Sequence, residues 1–249
     1  MSTKKWLIIV DYQNTFGDNA YKWSSRELYV EHGECLAENI NQQIDKTKQE
    51  WNLVLASREI HSVWHMFFAS SYKNKMPIIK ASTIDLSKWL LTSKEIEHWT
   101  EEENGLTALA KFTVEELKEV VKINGWEIIL WPNHCEENTR WTEYHPMLNS
   151  GLIDREVIKW QRVDQHPYSA FWWYDERWLS LENILEENEI NEVDVEWLAT
   201  DYCVNDTVMD GLKIWLKVNL ILSGSAGVYP LWTYQALKNM EKAWASILQ

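Results

Sequence analysis

The sequence contains little glycine. Only 8 of its 249 residues are glycine, although a usual share of about 7% would give roughly 17. Tryptophan, normally one of the rarest residues, occurs 17 times. Glycine adopts left-handed backbone conformations without steric cost, so its scarcity leaves the turns of a compact fold short of their usual residue.

The chain also lacks the features of several protein classes. Its net charge of −14 disfavours nucleic acid and anionic membranes as partners, because both are bound by basic surfaces. Three cysteines (Cys35, Cys135 and Cys203) cannot form a disulfide framework and favour a reducing compartment. No apolar stretch reaches the ~18 residues of a transmembrane helix, and the N-terminal apolar run is too short for a signal peptide. We therefore expect a cytoplasmic protein.

Short apolar segments alternate with amphipathic ones along the chain. Buried strands are predicted at 6–10 (WLIIV), 52–56 (NLVLA), 127–131 (EIILW), 156–159 (EVIK), 193–199 (VDVEWLA) and 217–222 (KVNLIL). Periodic apolar residues predict helices over 34–48, 114–122, 181–188, 204–214 and 232–247. This alternation predicts an α/β fold, a Rossmann-like three-layer α-β-α arrangement around a mostly parallel sheet of about six strands. We interpret residues 1–249 as one domain with an irregular, partly helical insertion at about 70–125 that contains no notable strand.

Reactive side chains lie at the ends of three predicted strands. Asp11 ends the first strand, Lys159 ends the EVIK strand, and Cys203 of LATDYC follows the strand at 193–199. Taken singly, a turn carboxylate, a solvated lysine and a buried structural cysteine are the commoner cases. The carboxyl ends of parallel strands share one edge of the sheet, however, so these three groups should converge there. A thiol at the start of a helix is expected to have a lowered pKa, and a nearby carboxylate can act as its base.

A second group of residues has the composition of a metal site. Glu59, His61 and His65 follow the second strand in REIHSVWH, and His134 lies in WPNHC. Surface histidines are common, so the pair of His61 and His65 alone is a weak signal of a metal site. One acid and several histidines nevertheless suit a divalent transition metal that keeps open positions for water.

Together these motifs resemble those of the nicotinamidases and pyrazinamidases, within the isochorismatase-like cysteine hydrolase family. The motifs IIVDYQNTF, E-x-H-x-x-x-H, WPNHC and LATDYCV, with a lysine ten residues before SAF, follow the order and spacing of that family. The resemblance runs from about residue 6 to residue 245. It implies an amidohydrolase that converts nicotinamide to nicotinate and ammonia in NAD salvage through a cysteine thioester.

The resemblance also implies a role for each matching position. Cys203 would be the nucleophile, Asp11 its base and Lys159 the third member of the triad. The backbone N–H groups of Ala199 and Cys203 would form an oxyanion hole, with a cis peptide before Ala199. Glu59, His61 and His134 would bind a divalent metal (Zn, Fe or Mn), with His65 as a further ligand or as support for one. The ring pocket would be lined by Phe16, Trp131 and Tyr168. The family usually has Asp where Glu59 stands, which leaves the metal's identity open.

Two alternatives stay open. The chain could be another amidohydrolase of the same fold, acting on an N-carbamoyl compound or a different aromatic amide without a bound metal. It could also be a degenerate, non-catalytic member of the fold. The expected partner is the small molecule nicotinamide, with no nucleic acid and no membrane, and homo-oligomer formation is left open.

Tryptophan stands at several positions where glycine is expected. The resemblance implies glycine at Trp141, Trp160 and Trp197, while Trp51 and Trp215 each fall between a predicted helix and the next strand, where glycine commonly ends a helix. We hypothesise that the source reads the codon UGA as glycine and that this chain was translated with Trp instead. A tryptophan-rich paralogue is the alternative. Further candidates are Trp23, Trp64, Trp126, Trp172, Trp173, Trp178, Trp232 and Trp244.

Overall fold

The computed structural model describes residues 4–17, 28–71, 90–92, 113–123, 127–160 and 168–249. The strands are β1 (Lys5–Val10), β2 (Val54–Ile60), β3 (Leu90–Thr92), β4 (Glu127–Ile129), β5 (Arg155–Trp160), β6 (Glu192–Leu198), β7 (Lys217–Ala226) and β8 (Ser246–Leu248). Six of them form a sheet in the order β5-β2-β1-β6-β7-β8, with every pair parallel. The other two, β3 and β4, form a separate antiparallel pair.

The helices lie mainly between strands of the large sheet. They are α1 (Asn14–Gly17), α2 (Ala37–Gln49), α3 (Val114–Ile123), α4 (Leu181–Glu187), α5 (Cys203–Lys213) and α6 (Pro230–Lys242). Short 3₁₀ turns span Gly33–Leu36, Ala69–Ser71, Arg140–Thr142, Ser150–Leu152 and Ala170–Trp172. The side chain of Ser180 caps α4 by accepting from the Asn183 N–H, and α6 begins with Pro230, whose missing N–H costs nothing in the first turn. No helix among these described ranges is long and apolar enough to cross a membrane.

Both faces of the sheet are covered, which explains the near-continuous apolar strands. Along β1, Ile8 and Val10 pack into one core with residues of α4, α5 and α6, whereas Leu7 and Ile9 pack into a second core with α2. Successive side chains of a strand point to opposite faces, so a sheet buried on both sides needs apolar residues at every position. The predicted three-layer α/β fold is confirmed.

One strand prediction and one helix prediction need correction. Residues 127–131 were expected in the large sheet, but β4 pairs with β3 and Trp131 makes only an isolated bridge to Phe68. An apolar run predicts burial, and tertiary contacts decide which strand it pairs with. The predicted helix over 232–247 was too long: α6 ends at Lys242, and the sixth strand of the sheet is β8.

The insertion is described only in part. Of the predicted 70–125 segment, residues 72–89, 93–112 and 124–125 lie outside the described ranges. The described part contains α3 and also β3, a short strand that the sequence did not indicate. The single-domain assignment of residues 1–249 stays a prediction.

Candidate active site

Three side chains from separate strands meet at the carboxyl edge of the sheet. Asp11 directly follows β1, Lys159 lies near the end of β5, and Cys203 is the first residue of α5, after β6. Nζ of Lys159 lies 2.5 Å from Oδ2 of Asp11 and donates to Sγ of Cys203 at 3.2 Å. Its third contact is the Tyr168 carbonyl oxygen at 2.9 Å, so each ammonium proton has an acceptor. The structure thus brings the predicted triad together.

Burial controls the protonation of Cys203 and Asp11. It raises the pKa of the Cys203 thiol well above its ordinary value, and the Lys159 ammonium offsets only part of this effect. The expectation of a lowered thiol pKa at the helix start was therefore wrong, because desolvation outweighs the stabilisation of the thiolate by Lys159. Burial also raises the pKa of Asp11, with Lys159 opposing. A buried thiol that stays protonated needs a base within the site.

Lys159 and Glu59 hold their charges despite burial. Burial lowers the pKa of Lys159, but the facing Asp11, Cys203 and Glu59 groups more than compensate and hold it well above its ordinary value. Burial likewise raises the pKa of Glu59, but Lys159 and His61 outweigh it and hold it well below its usual range. Near neutral pH the site therefore contains a charged ammonium and a charged carboxylate.

Glu59, His61 and His134 form a compact buried group beside the triad. Their ligand atoms all lie within 4.8 Å of one another. Burial lowers the pKa of His61 to about 4, although Glu59 acts in the opposite direction, so its imidazole is neutral near pH 7. Nδ1 of His134 lies 2.7 Å from the Pro132 carbonyl oxygen. An Nδ1–H donating to that carbonyl leaves Nε2, 3.6 Å from Glu59, as a lone-pair donor. A carboxylate with two imidazole nitrogens is a suitable donor set for a divalent transition metal.

His65 occupies a different position from the other two histidines. Among the described residues, the compact group does not include it. Its ring packs edge-on against His61 at a centroid distance of 4.7 Å, and its Nδ1 accepts the Phe67 N–H at 3.2 Å. This placement suits support of the His61 ring better than metal ligation.

One cavity connects Cys203, the Glu-His-His group and the predicted ring pocket. Cys203, Glu59 and His134 line it, together with all three predicted pocket residues: Phe16, Trp131 and Tyr168. The Trp131 indole N–H donates to the Tyr168 hydroxyl at 3.1 Å, which fixes two aromatic walls relative to each other. Leu28, Val30, Leu198, Tyr202 and Val228 also line the cavity and were not predicted.

The predicted oxyanion donors lie in the same cavity. Ala199 and Cys203 both line it, and the peptide bond between Leu198 and Ala199 is cis. The carbonyl oxygen of Ala199 accepts the N–H groups of Tyr202 and Val204. These bonds hold the loop between β6 and α5 against the first turn of the helix.

Two supporting residues were missed. Ser57 donates its hydroxyl to Oδ1 of Asp11 at 2.8 Å, and the side chain of Gln13 binds the backbone of Glu59 through both its oxygen and its nitrogen, each at 2.8 Å. Gln13 also donates to the Thr142 carbonyl oxygen at 3.0 Å. The only sequence signal was the position of Gln13 two residues after Asp11, which does not indicate its partner.

Comparison with known proteins supports the fold and the resemblance. No known family profile matches the chain. The chain is 28% identical over 223 residues to the nicotinamidase of Escherichia coli (strain K12), covering 89% of this chain and 83% of that protein.

Two solved structures match over nearly the full chain. The pyrazinamidase of Pyrococcus horikoshii in complex with zinc matches with a TM-score of 0.65 at 23% identity, covering 99% of both chains. The yeast nicotinamidase matches with a TM-score of 0.69 at 22% identity, covering 98% of this chain and 99% of that one. At these identities the structural matches establish the shared fold.

Proposed function

We propose that this chain, a homologue of the nicotinamidases and pyrazinamidases and an amidohydrolase, hydrolyses nicotinamide to nicotinate and ammonia through a thioester on Cys203. The observation that carries the proposal is the shared cavity: a cysteine paired with a buried ammonium opens into the same aromatic-walled space as a Glu-His-His group. A small aromatic amide matches this combination of apolar walls and few polar groups.

The nucleophile is activated by transfer of its proton to Asp11. The carboxylate lies within 4.8 Å of the Cys203 sulfur, and the intervening Lys159 stabilises both the carboxylate and the developing thiolate. Direct transfer needs a small approach of the two groups, which is common when substrate binds. Sγ then attacks the carboxamide carbon and forms the tetrahedral intermediate.

The remaining steps use the same groups in reverse. The backbone N–H groups of Ala199 and Cys203 stabilise the oxyanion, an effect typically worth about 10²–10³ in rate per donor. Asp11 returns its proton to the departing ammonia, leaving an acyl thioester on Cys203. Asp11 then takes a proton from water, which attacks the thioester carbon, and the thiol is re-formed as nicotinate leaves.

A metal held by Glu59, His61 and His134 is part of the proposal, because this compact, buried set of one carboxylate and two imidazoles fits one. A divalent cation bound there would supply a Lewis acid for the pyridine nitrogen, which would help to orient the ring. The chain's own contribution to orientation comes from Phe16, Trp131 and Tyr168, which confine the ring between apolar faces. Since the cavity brings the nucleophile and the Glu-His-His group together, one ring can reach both.

Ammonia release from nicotinamide tests this proposal. The purified chain is assayed with and without a chelator, with metal added back, and beside Cys203→Ala. Benzamide is the matched substrate control, because it lacks only the ring nitrogen. We expect release from nicotinamide, loss of activity in Cys203→Ala and with chelator, and much weaker turnover of benzamide.

Two results would contradict the proposal. Equal turnover of benzamide and nicotinamide, unaffected by chelator, would favour another amidohydrolase activity of the fold. A folded chain that releases ammonia from neither amide would favour a non-catalytic member.

A further inference from the structure

Tryptophan occupies half of the strained backbone positions among the described residues. Ten non-glycine residues among the described ranges have positive φ, and five of them are Trp51, Trp178, Trp197, Trp215 and Trp244, with φ between 60° and 101°. Three of the others are Asp11, His32 and Asn138, the types that tolerate this region best. Phe, Tyr and the β-branched residues are absent from these ten. A bulky side chain in this region is a genuine outlier.

The glycines of the chain show the opposite behaviour. None of the six glycines in the described ranges has a φ between +20° and +160°. Among the described residues, glycine, which is suited to left-handed positions, occupies none of them. Tryptophan, one of the least suited residues, occupies five.

Three of the tryptophans end helices in the same hydrogen-bonded motif. Trp215 donates to Leu212 O while Leu216 donates to Gly211 O, both at 3.1 Å. The same pair of bonds occurs around Trp51, at the end of α2, and around Trp244, at the end of α6. This is the Schellman motif, whose left-handed residue is usually glycine. The geometry at the ends of α2 and α5 thus agrees with the expectation for Trp51 and Trp215.

Burial does not compensate for these positions. The side chains of Trp51, Trp215 and Trp244 are 94%, 93% and 89% exposed. Trp178 is 82% exposed and lies in a tight turn. Its N–H donates to the Asp175 carbonyl oxygen, and the Asp175 N–H donates to the Leu179 carbonyl oxygen. That turn places its last residue in the left-handed region, again a glycine position. An indole in water gains no packing energy to offset backbone strain.

Trp197 differs from the other four tryptophans because it is fully buried, and it lies next to Asp11 at the end of β1. Its φ is 101° at an irregularity in the pairing of β6 with β7, a place where glycine is common. Its indole N–H donates to the Asp11 carbonyl oxygen at 3.0 Å, and its ring centroid lies 3.5 Å from that of Tyr12. Aromatic pairs usually keep 4.5–7 Å between centroids, so the ring is crowded.

We infer that glycine is the encoded residue at positions 51, 178, 197, 215 and 244, specified by UGA codons that the source reads as glycine. Backbone conformation does not extend this inference to Trp141 or Trp160, which lie in a 3₁₀ turn and in β5 and are not among the residues with positive φ. For these two positions the hypothesis still depends on the resemblance. The inference is independent of the proposed reaction.

The codons of the source gene give the first test. UGA at the five positions, with UGG at Trp131, supports the inference. UGG at positions 51, 178, 215 and 244 overturns it.

Thermal unfolding of variants gives the second test. At each exposed site, Trp→Gly is compared with Trp→Ala, because both remove the indole and only glycine relieves the left-handed strain. We expect glycine to give a Tm about 3 °C above alanine per site. Trp172, which is 65% exposed at an ordinary φ, is the matched control and should show no such advantage. Equal Tm values for Gly and Ala at the four sites would overturn the inference.

Position 197 gives the sharpest contrast. Replacing a fully buried Trp with a small residue usually lowers the Tm of a chain of this size by about 10 °C. If glycine is the encoded residue, Trp197→Gly keeps or raises the Tm and keeps or raises any amidase activity. A fall of about 10 °C would show that Trp197 is a genuine core residue and would overturn the inference there.

Discussion

Nζ of Lys159 lies 2.5 Å from Oδ2 of Asp11, and both side chains are fully buried. A buried ion pair is weak evidence for stability, because desolvation costs about as much as the attraction returns. The same ammonium also reaches the Cys203 sulfur. Its position between an acid and a thiol is better explained by chemistry than by folding.

Removing one partner of this pair should damage stability more than removing both. Lys159→Met leaves the Asp11 charge buried and unpaired, which should cost about 3–5 kcal/mol of unfolding free energy. The double variant Asp11→Asn/Lys159→Met removes both charges and should recover much of that loss. Urea unfolding measures the difference. Additive effects of the two substitutions would contradict a coupled pair.

Metal content should depend on the compact Glu-His-His group. We expect His61→Ala to lose most bound divalent metal, because a neutral buried donor is removed. His32→Asn is the matched control, since His32 is an exposed residue with positive φ that Asn tolerates well. Elemental analysis of the purified proteins measures the loss. Equal metal content in both variants would place the metal elsewhere.

Gln13 should increase metal affinity by holding the backbone of Glu59, without contacting a metal-ligand atom. Its three hydrogen bonds fix the backbone of Glu59 and of Thr142. Loss of such support typically lowers metal affinity about 10–100-fold, and we expect this range for Gln13→Ala. Titration with metal after chelation gives the affinity. An unchanged affinity with unchanged folding would show that β2 holds Glu59 without help.

Glu196 should make stability fall as pH rises. Its carboxylate is buried, and both oxygens lack a hydrogen-bond partner among the described residues. Burial raises its pKa well above the usual value, and Asp194 raises it further. The folded-state pKa exceeds the unfolded one. The contribution of Glu196 to the free energy of unfolding is therefore fully present below pH ~4.3 and is lost as pH rises through the folded-state pKa.

The matching variant is Glu196→Leu. We expect it to be more stable than the parent by about 2 kcal/mol at pH 8, with the difference shrinking toward pH 4.5. Urea unfolding at both values tests this. A difference that does not change with pH would mean that Glu196 titrates normally.

The sequence predicted those parts of the fold that local patterns determine. Five of the six strands of the large sheet and the starts of α4 and α5 follow from apolar patterns and turns. The pattern could not show that residues 127–129 pair outside the sheet, nor that a three-residue strand, β8, follows α6. Pairing partners depend on tertiary contacts, and a three-residue strand is too short to show a period.

The site was predictable where topology alone brings groups together. Asp11, Lys159 and Cys203 end parallel strands and therefore share an edge. Ser57 and Gln13 gave no comparable signal, because their roles depend on which backbone or carboxylate they face. The raised pKa of the Cys203 thiol was also beyond reach, since it depends on the depth of burial.

The most direct test of the account is to trap the acyl group on Cys203. The chain is mixed with nicotinamide, quenched in acid and digested. The mass of the peptide that contains residue 203 is then measured by mass spectrometry. Cys203→Ala and Cys35→Ala, which alters an exposed cysteine, are treated in the same way. We predict a nicotinoyl adduct at Cys203 in the parent and in Cys35→Ala, and none in Cys203→Ala. Ammonia release by Cys203→Ala at the parent's rate, without an adduct in any sample, would contradict the account.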